Sequence, residues 1–150
     1  NRNRLDVKAL NAVDFRILAL NEMELMLPLL AEMNAHKTLE ELSVLLADIH
    51  TQAYKCAAVF VDGKLAGICG MWHLTHFYSG KVLELENVII AEEYRSLKLG
   101  KQLMDWVYTY AISIGCVGLE LDTFTGNTRS HKFYYNEGFE IKGFHMLKKL

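Results

Sequence analysis

The chain has 150 residues, 51% hydrophobic and 23% charged, with a net charge of −2. That composition fits one ordinary globular α/β-sized domain over residues 1–150. It excludes a polybasic nucleic-acid binder and a low-complexity segment. No apolar run approaches the roughly 20 residues that span a bilayer, so no membrane partner is expected.

Asn1–Lys8 is polar and leads into no long apolar stretch, so no signal peptide is expected. Cys56, Cys69 and Cys116 are far apart and lack metal-ligand spacing. They read as small buried hydrophobes, with a reactive thiol as the alternative, and fit a reducing cytoplasm. The six histidines show no ligand spacing either, so no metal is expected.

Val13, Phe15 and Ile17 alternate as a strand does. Asn21 with Glu24 looks like a capping box opening a helix that Pro28 kinks or restarts. Thr38 with Glu41 repeats the pattern before the amphipathic run Leu39, Leu42, Leu45, Leu46 and Ile49. Lys55–Val61 and Lys64–His73 flank Asp62-Gly63, a type I′ hairpin signal. A loop over 76–81 leads to a strand from Val82 to Ala91. Leu99, Leu103, Val107, Tyr110 and Ile114 share a helix face that Gly115 ends. Val117–Thr123 reads as a strand and Asn127–Glu137 as a helix stopped by Gly138. One or two closing strands are expected over Phe139–Leu150.

These elements predict a three-layer α/β fold: a mixed central sheet of six to seven strands flanked by about four helices.

The stretch from Glu86 to Met104 carries the chemistry. A buried strand enters a loop with Arg95, Lys98 and Lys101 and no acid between them, and the loop opens a helix. Unpaired N–H groups and the positive dipole end make such a helix start an anion site. Gly100 lets a phosphate approach the backbone. Neither GxxxxGK[ST] nor GxGxxG is present. From these residues alone, a solvated basic turn remains an equal reading.

Arg95-Ser96-Leu97-Lys98-Leu99-Gly100 resembles the coenzyme A motif of the GNAT N-acetyltransferase superfamily, (Arg/Gln)-x-x-Gly-x-(Gly/Ala). Lys98 stands where the family usually has its first Gly, the position that governs how closely a phosphate approaches. A second block, Asn127 to Phe139, resembles the family's Asn-x-x-Ala-x-x-Phe-Tyr-x-x-x-Gly-Phe helix, with Ser130 in place of Ala.

The resemblance implies acetyl transfer from acetyl-CoA directly to a primary amine. It implies that Val88, Ile89 and Ile90 pair through their backbone with the pantetheine of coenzyme A. Arg95, Ser96, Leu97, Lys98, Leu99, Gly100 and Lys101 would hold the pyrophosphate, and Asn127 the pantetheine arm or pyrophosphate end. Asn127 as a plain helix cap is the alternative. Glu86 is the candidate base, because only a neutral amine attacks; Glu84 or a water is the alternative. Tyr134 is the candidate acid for the leaving thiolate. Lys98 admits a second reading, a non-catalytic acyl-CoA-binding regulatory module.

The acceptor is expected to contact the first two helices and the loop carrying His73, His76, Phe77 and Tyr78. The 8 basic and 11 acidic side chains of residues 1–87 favour a small cationic amine. A homodimer is compatible with this reading, and no nucleic acid is expected.

Overall fold

The computed structural model describes residues 12–150. By contact density the chain falls into two compact units, one ending at Glu120 and the other Leu121–Leu150.

In the first unit, strand β1 (Val13–Ile17) leads into a 3-10 turn, Leu20–Met26, and helix α1 (Leu27–Met33). The expected Asn21/Glu24 box does not form. Instead Glu22 reaches back to the Ala19 N–H at 2.9 Å. This is half a box, because alanine has no side-chain oxygen to return the bond. Glu22 also takes both guanidinium nitrogens of Arg16, at 2.6 and 2.8 Å. That pairing holds its carboxyl at about 2, below the ordinary range. Pro28 falls in the first turn of α1, where its missing N–H costs nothing, so it restarts the helix. Helix α2 (Leu39–Ile49) opens on the full Thr38/Glu41 box: the Glu41 N–H donates to Thr38 Oγ1 at 3.1 Å, and the Thr38 N–H to Glu41 Oε2 at 2.9 Å.

Strands β2 (Tyr54–Val61) and β3 (Lys64–His76) join through Asp62-Gly63, both at positive φ, 50° and 79°. That is the hairpin turn the dipeptide predicts. Strand β4 (Gly80–Ile90) follows a tight turn in which His76 pairs with Gly80. Helix α3 (Leu99–Ser113) ends before Gly115 at φ 81°, and β5 (Gly118–Leu121) comes next. The sheet order is β1-β2-β3-β4-β5, with antiparallel ladders between the first four strands.

Two bulges set which side chains share a face. Val61 pairs with Lys64, but Val59 pairs with Gly67, leaving Ala66 as an extra residue of β3. One face carries Cys56, Ala58, Phe60, Ile68 and Ile89 onto Leu18, Met23, Met26, Leu29 and Leu46. The opposite face holds Val59, Cys69, Met71, Leu83 and Leu85, all buried, and α3 packs on β2, β3 and β4. Leu99, Leu103 and Val107 are the buried positions of that helix.

The second unit contains helix α4 (Thr128–Asn136), followed by Gly138 at φ 91°. The closing strands expected over Phe139–Leu150 do not form, and among the described residues the sheet has five strands rather than six to seven. Ile141, Phe144, Met146 and Leu147 are exposed. The mixture of apolar and polar residues there records a strand preference, but a strand also needs a ladder partner. No described helix is long and apolar enough to cross a membrane.

Candidate functional site

The second bulge lies in β4. Gly70 pairs with Glu86 and Ile68 with Ile89, so Asn87 and Val88 together oppose the single residue Cys69. Asn87 takes φ 55°, a left-handed angle that asparagine tolerates better than most residues. The extra residue changes the phase of the strand. Glu86 and Ile89 would face opposite ways in a regular strand; here both lie on the side of α1 and α2. The bulge also leaves part of the β4 backbone at 87–88 outside the ladder with β3.

Glu86 is exposed and Glu84 half-buried. Trp72 stands opposite Glu84 in register and diagonal to Glu86. A long aromatic side chain reaches such a diagonal neighbour. The Trp72 indole N–H donates to Glu86 Oε2 at 2.5 Å. Tyr54 pairs with Trp72 across β2 and β3, and their rings meet edge to face, with centroids 4.8 Å apart. The Tyr54 hydroxyl lies over Gly70, where a Cβ would collide with it and come within 2.7 Å of the Glu86 carbonyl oxygen. Burial pushes the Tyr54 phenol far above its ordinary range, and the Glu86 charge adds to this.

After Ile90 the chain makes a 3-10 turn, Glu92–Leu97, then α3 begins at Leu99. Arg95 is fastened by its Nε, which donates to the Ile90 carbonyl at 3.0 Å. Ser96 is exposed and Leu97 half-buried, and Gln102 Nε2 donates to the Leu97 carbonyl at 3.4 Å. Lys98 sits at φ 57°, ψ 30°, in the left-handed region, and is the residue before α3. This is the backbone angle a glycine would supply, taken by a lysine at a cost of about 1–2 kcal/mol. It turns the chain so that the first N–H groups of α3, those of Leu99, Gly100 and Lys101, open on the loop. Lys101 pairs with Asp105 one turn on, at 3.5 Å.

In the second unit, Asn127 caps α4: its Oδ1 accepts from the Ser130 N–H at 3.1 Å. The half-buried Tyr134 ring lies between Phe133 and Phe139, with centroids 5.2 and 5.5 Å away, edge to face with both. His131 Nε2 lies 2.7 Å from the Phe124 carbonyl, and His145 Nδ1 3.1 Å from Asp122.

The four residues suggested for the acceptor do not cluster with Glu86. His73 follows Trp72 and so points to the other face, where its Nε2 lies 3.2 Å from the Tyr110 hydroxyl of α3. Burial lowers its basicity. His76 lies 3.9 Å from Glu120. Phe77 and Tyr78 are exposed at the β3–β4 turn. Cys56 and Cys69 are buried, on opposite faces; burial raises both thiols, Cys69 to about 12. They stay protonated and serve as packing. No group of three or more His, Cys, Asp or Glu suited to a metal occurs among the described residues.

Sequence reasoning singled out Glu86 and the basic loop but missed Tyr54 and Trp72. The signal was present in the alternation of β2 and β3, but hidden by the bulge at Ala66.

Known proteins resemble this chain in sequence and in fold. The sequence model of the acetyltransferase (GNAT) family matches residues 22–139. An aminoalkylphosphonate N-acetyltransferase of Salmonella typhimurium strain LT2 is 27% identical over 92 residues, which cover 59% of this chain and 58% of that protein. The match thus spans little more than half of that relative's length. Among solved structures, an aminoglycoside N-acetyltransferase in complex with CoA superposes with a TM-score of 0.79 at 19% identity, covering 93% of this chain and 95% of the other. A ribosomal-protein-alanine N-acetyltransferase from Brucella melitensis gives 0.77 at 18% identity, covering 93% and 99%. These two share the fold.

Proposed function

Because the chain belongs to the acetyltransferase (GNAT) family, we propose that it transfers an acetyl group from acetyl-CoA directly to a primary amine of a small cationic acceptor. The observation that carries the reading is the left-handed Lys98 at the head of α3, directly after a bulged β4. A lysine there could have closed the loop with an ordinary helical angle. It keeps the glycine-like angle instead, so the loop retains the opening an anionic pyrophosphate needs and gains an ammonium beside it. That angle serves coenzyme A binding in either reading; the presence of Glu86 and Tyr134, which a module that only binds does not need, favours the enzyme.

In this reading the backbone of Val88, Ile89 and Ile90 holds the pantetheine arm. Arg95 and Lys98 bring charge to the pyrophosphate, Ser96 and Leu97 form the turn, and the N–H groups of Leu99, Gly100 and Lys101 donate to it. Asn127, whose Oδ1 caps α4, is the residue this reading assigns to the pantetheine arm or pyrophosphate end. Bound acetyl-CoA supplies the acetyl group and departs as the thiol. Glu86 takes the proton that an alkylammonium must lose. Tyr134 gives a proton to the departing sulfur, a near-even exchange since phenol and thiol have comparable basicity. The relatives named above include enzymes for amine-bearing small molecules, and the acidic excess before residue 88 suits a cationic one.

The test is thiol release from acetyl-CoA with a panel of primary amines. Turnover of at least one amine is expected, with Glu86→Gln lowering kcat by about 10²-fold or more. Failure of the chain to bind acetyl-CoA in a titration sinks the reading altogether. Tight binding with no amine turned over would favour the regulatory module.

A further inference from the structure

The carboxylate assigned to proton removal does not stand alone on its strand. Trp72 donates to one of its oxygens, Oε2, at 2.5 Å. Glu86 Oε1 has no partner shown among the described residues. Behind the indole, Tyr54 packs edge to face at 4.8 Å and is itself mostly buried. Gly70 leaves the space in which the Tyr54 hydroxyl lies, beside the Glu86 backbone. A tyrosine, a tryptophan and a glycine on two neighbouring strands are thus arranged around one exposed glutamate.

We propose that Trp72 is the positioning residue for Glu86 and that its ring, braced by Tyr54, selects a protonated primary alkylamine as the acceptor. This rests on Glu86 being the base. An exposed glutamate on a regular strand samples several rotamers. The short bond to the indole holds one oxygen and turns the other outward. The ammonium of the acceptor meets Oε1 as its proton acceptor and the indole as its aromatic face. An aromatic face attracts a cation and offers little to a neutral alcohol or a phosphate. The proton passes from the ammonium nitrogen to Glu86 Oε1, and the nitrogen lone pair it leaves is then free to form the new N–C bond. The same geometry explains why His73, one residue on, takes no part: it lies on the α3 side with Tyr110.

The kinetic test separates the two features of the indole. Trp72→Phe keeps a ring and loses the N–H; kcat falls about 10- to 100-fold, as for a misplaced catalytic group, while the acceptor KM moves less than about twofold. Trp72→Leu loses both, and the acceptor KM rises about tenfold as well. The acetyl-CoA KM stays unchanged in both, which a general loss of structure would not give. Wild-type kcat in Trp72→Phe, with Glu86→Gln inactive, overturns the positioning role and leaves the base in place. Full kcat in Glu86→Gln overturns the base itself.

A binding readout needs no turnover. The chain has two tryptophans, and Trp106 stacks on Tyr110 of α3, with ring centroids 5.7 Å apart. In a Trp106→Phe background, Trp72 is the sole indole. Its emission is expected to change saturably with 1,4-diaminobutane, not with 1,4-butanediol, and the response is lost in Glu86→Gln. Equal responses to diamine and diol, or no response to the diamine, overturn the selection of a cation.

Discussion

Lys98 offers a sharp test of the coenzyme A loop, because its backbone angle and its charge can be separated. At φ 57° and ψ 30° an L-residue pays about 1–2 kcal/mol relative to the right-handed helix, and glycine pays almost none. Lys98→Ala and Lys98→Gly both remove the ammonium from an exposed side chain. They differ in the Cβ. Glycine relieves the strain but enlarges the freedom of the unfolded chain, which returns about 0.5–1 kcal/mol. The glycine variant is therefore expected to be more stable than the alanine variant by roughly 0.5–1 kcal/mol. In a chain of this size that separates the two melting temperatures by about 1–4 °C. Urea unfolding followed by circular dichroism measures the difference directly. If the two variants match, or alanine is the more stable, the residue is not held left-handed and the loop argument falls. Acetyl-CoA binding supplies the second half: both variants bind more weakly than wild type at low salt, and the gap narrows as salt screens the lost charge.

Other outcomes follow from neighbouring features. Gly70→Ala forces a Cβ against the Tyr54 hydroxyl and the Glu86 carbonyl; a loss of about 1–3 kcal/mol is expected, and Tyr54→Phe in the same chain recovers only part of it, measured as a double-mutant cycle. Glu22 has its pKa lowered to about 2 by Arg16. The stability from this pair is fully present above the ordinary carboxylate range and is lost as pH falls through it toward 2. The stability gap between wild type and Arg16→Met should therefore close between about pH 5 and 2. Burial lowers the pKa of His73, so the unfolded chain binds the proton first as pH falls below about 6.5. Denaturant midpoints of wild type should drop there more steeply than those of His73→Gln. Tyr134→Phe is expected to lower kcat about 10²-fold or more with little effect on acetyl-CoA binding; undiminished turnover removes Tyr134 as the acid.

Local chemistry was legible wherever a few adjacent residues decide the backbone. Asp62-Gly63 specified its hairpin, Thr38 and Glu41 their helix start, and Gly115 and Gly138 the ends of α3 and α4. Non-local pairing was not legible. Reading the register outward from the Asp62-Gly63 turn places Tyr54 opposite Met71; the bulge at Ala66 moves it opposite Trp72. Gly67 beside Ala66 is a bulge signal, but a strand glycine also marks close backbone approach and does not say which residue is extra, so the aromatic pair beside Glu86 stayed hidden. At the start of the chain, Glu22 had two claims on it, the Ala19 N–H and Arg16, and satisfying both drew the helix start away from Asn21. Over Phe139–Leu150 the sequence shows which side chains could face a core but not whether a neighbouring strand is present to pair with them.

The β4 bulge ties these points together. Without Asn87 at its left-handed angle, a regular strand would put Glu86 and Ile89 on opposite faces, and Ile89 would leave the cluster of Met23, Met26 and Leu29. One extra residue lets the same strand anchor Ile89 in that core, keep Glu86 beside Trp72, and free backbone at 87–88 just before the Arg95–Lys101 loop. Deleting Asn87 is therefore more damaging to the fold than replacing Glu86. Replacement removes one proton acceptor from an exposed position, so Glu86→Gln should fold as wild type and lose turnover. Deletion asks β4 to choose between burying Ile89 and keeping Leu83 and Leu85 buried on the other face, the phase that also presents Glu86. Burial of each large aliphatic side chain is worth about 1.5–3 kcal/mol, so the two leucines outweigh the one isoleucine, and the strand gives up Ile89 and keeps Glu86 beside Trp72. The deleted chain should then be less stable by about 1.5–3 kcal/mol in urea unfolding followed by circular dichroism, while Trp72 fluorescence in the Trp106→Phe background keeps its response to 1,4-diaminobutane. A folded deletion variant that loses that response would show that Leu83 and Leu85 do not hold the phase of β4 that sets the carboxylate.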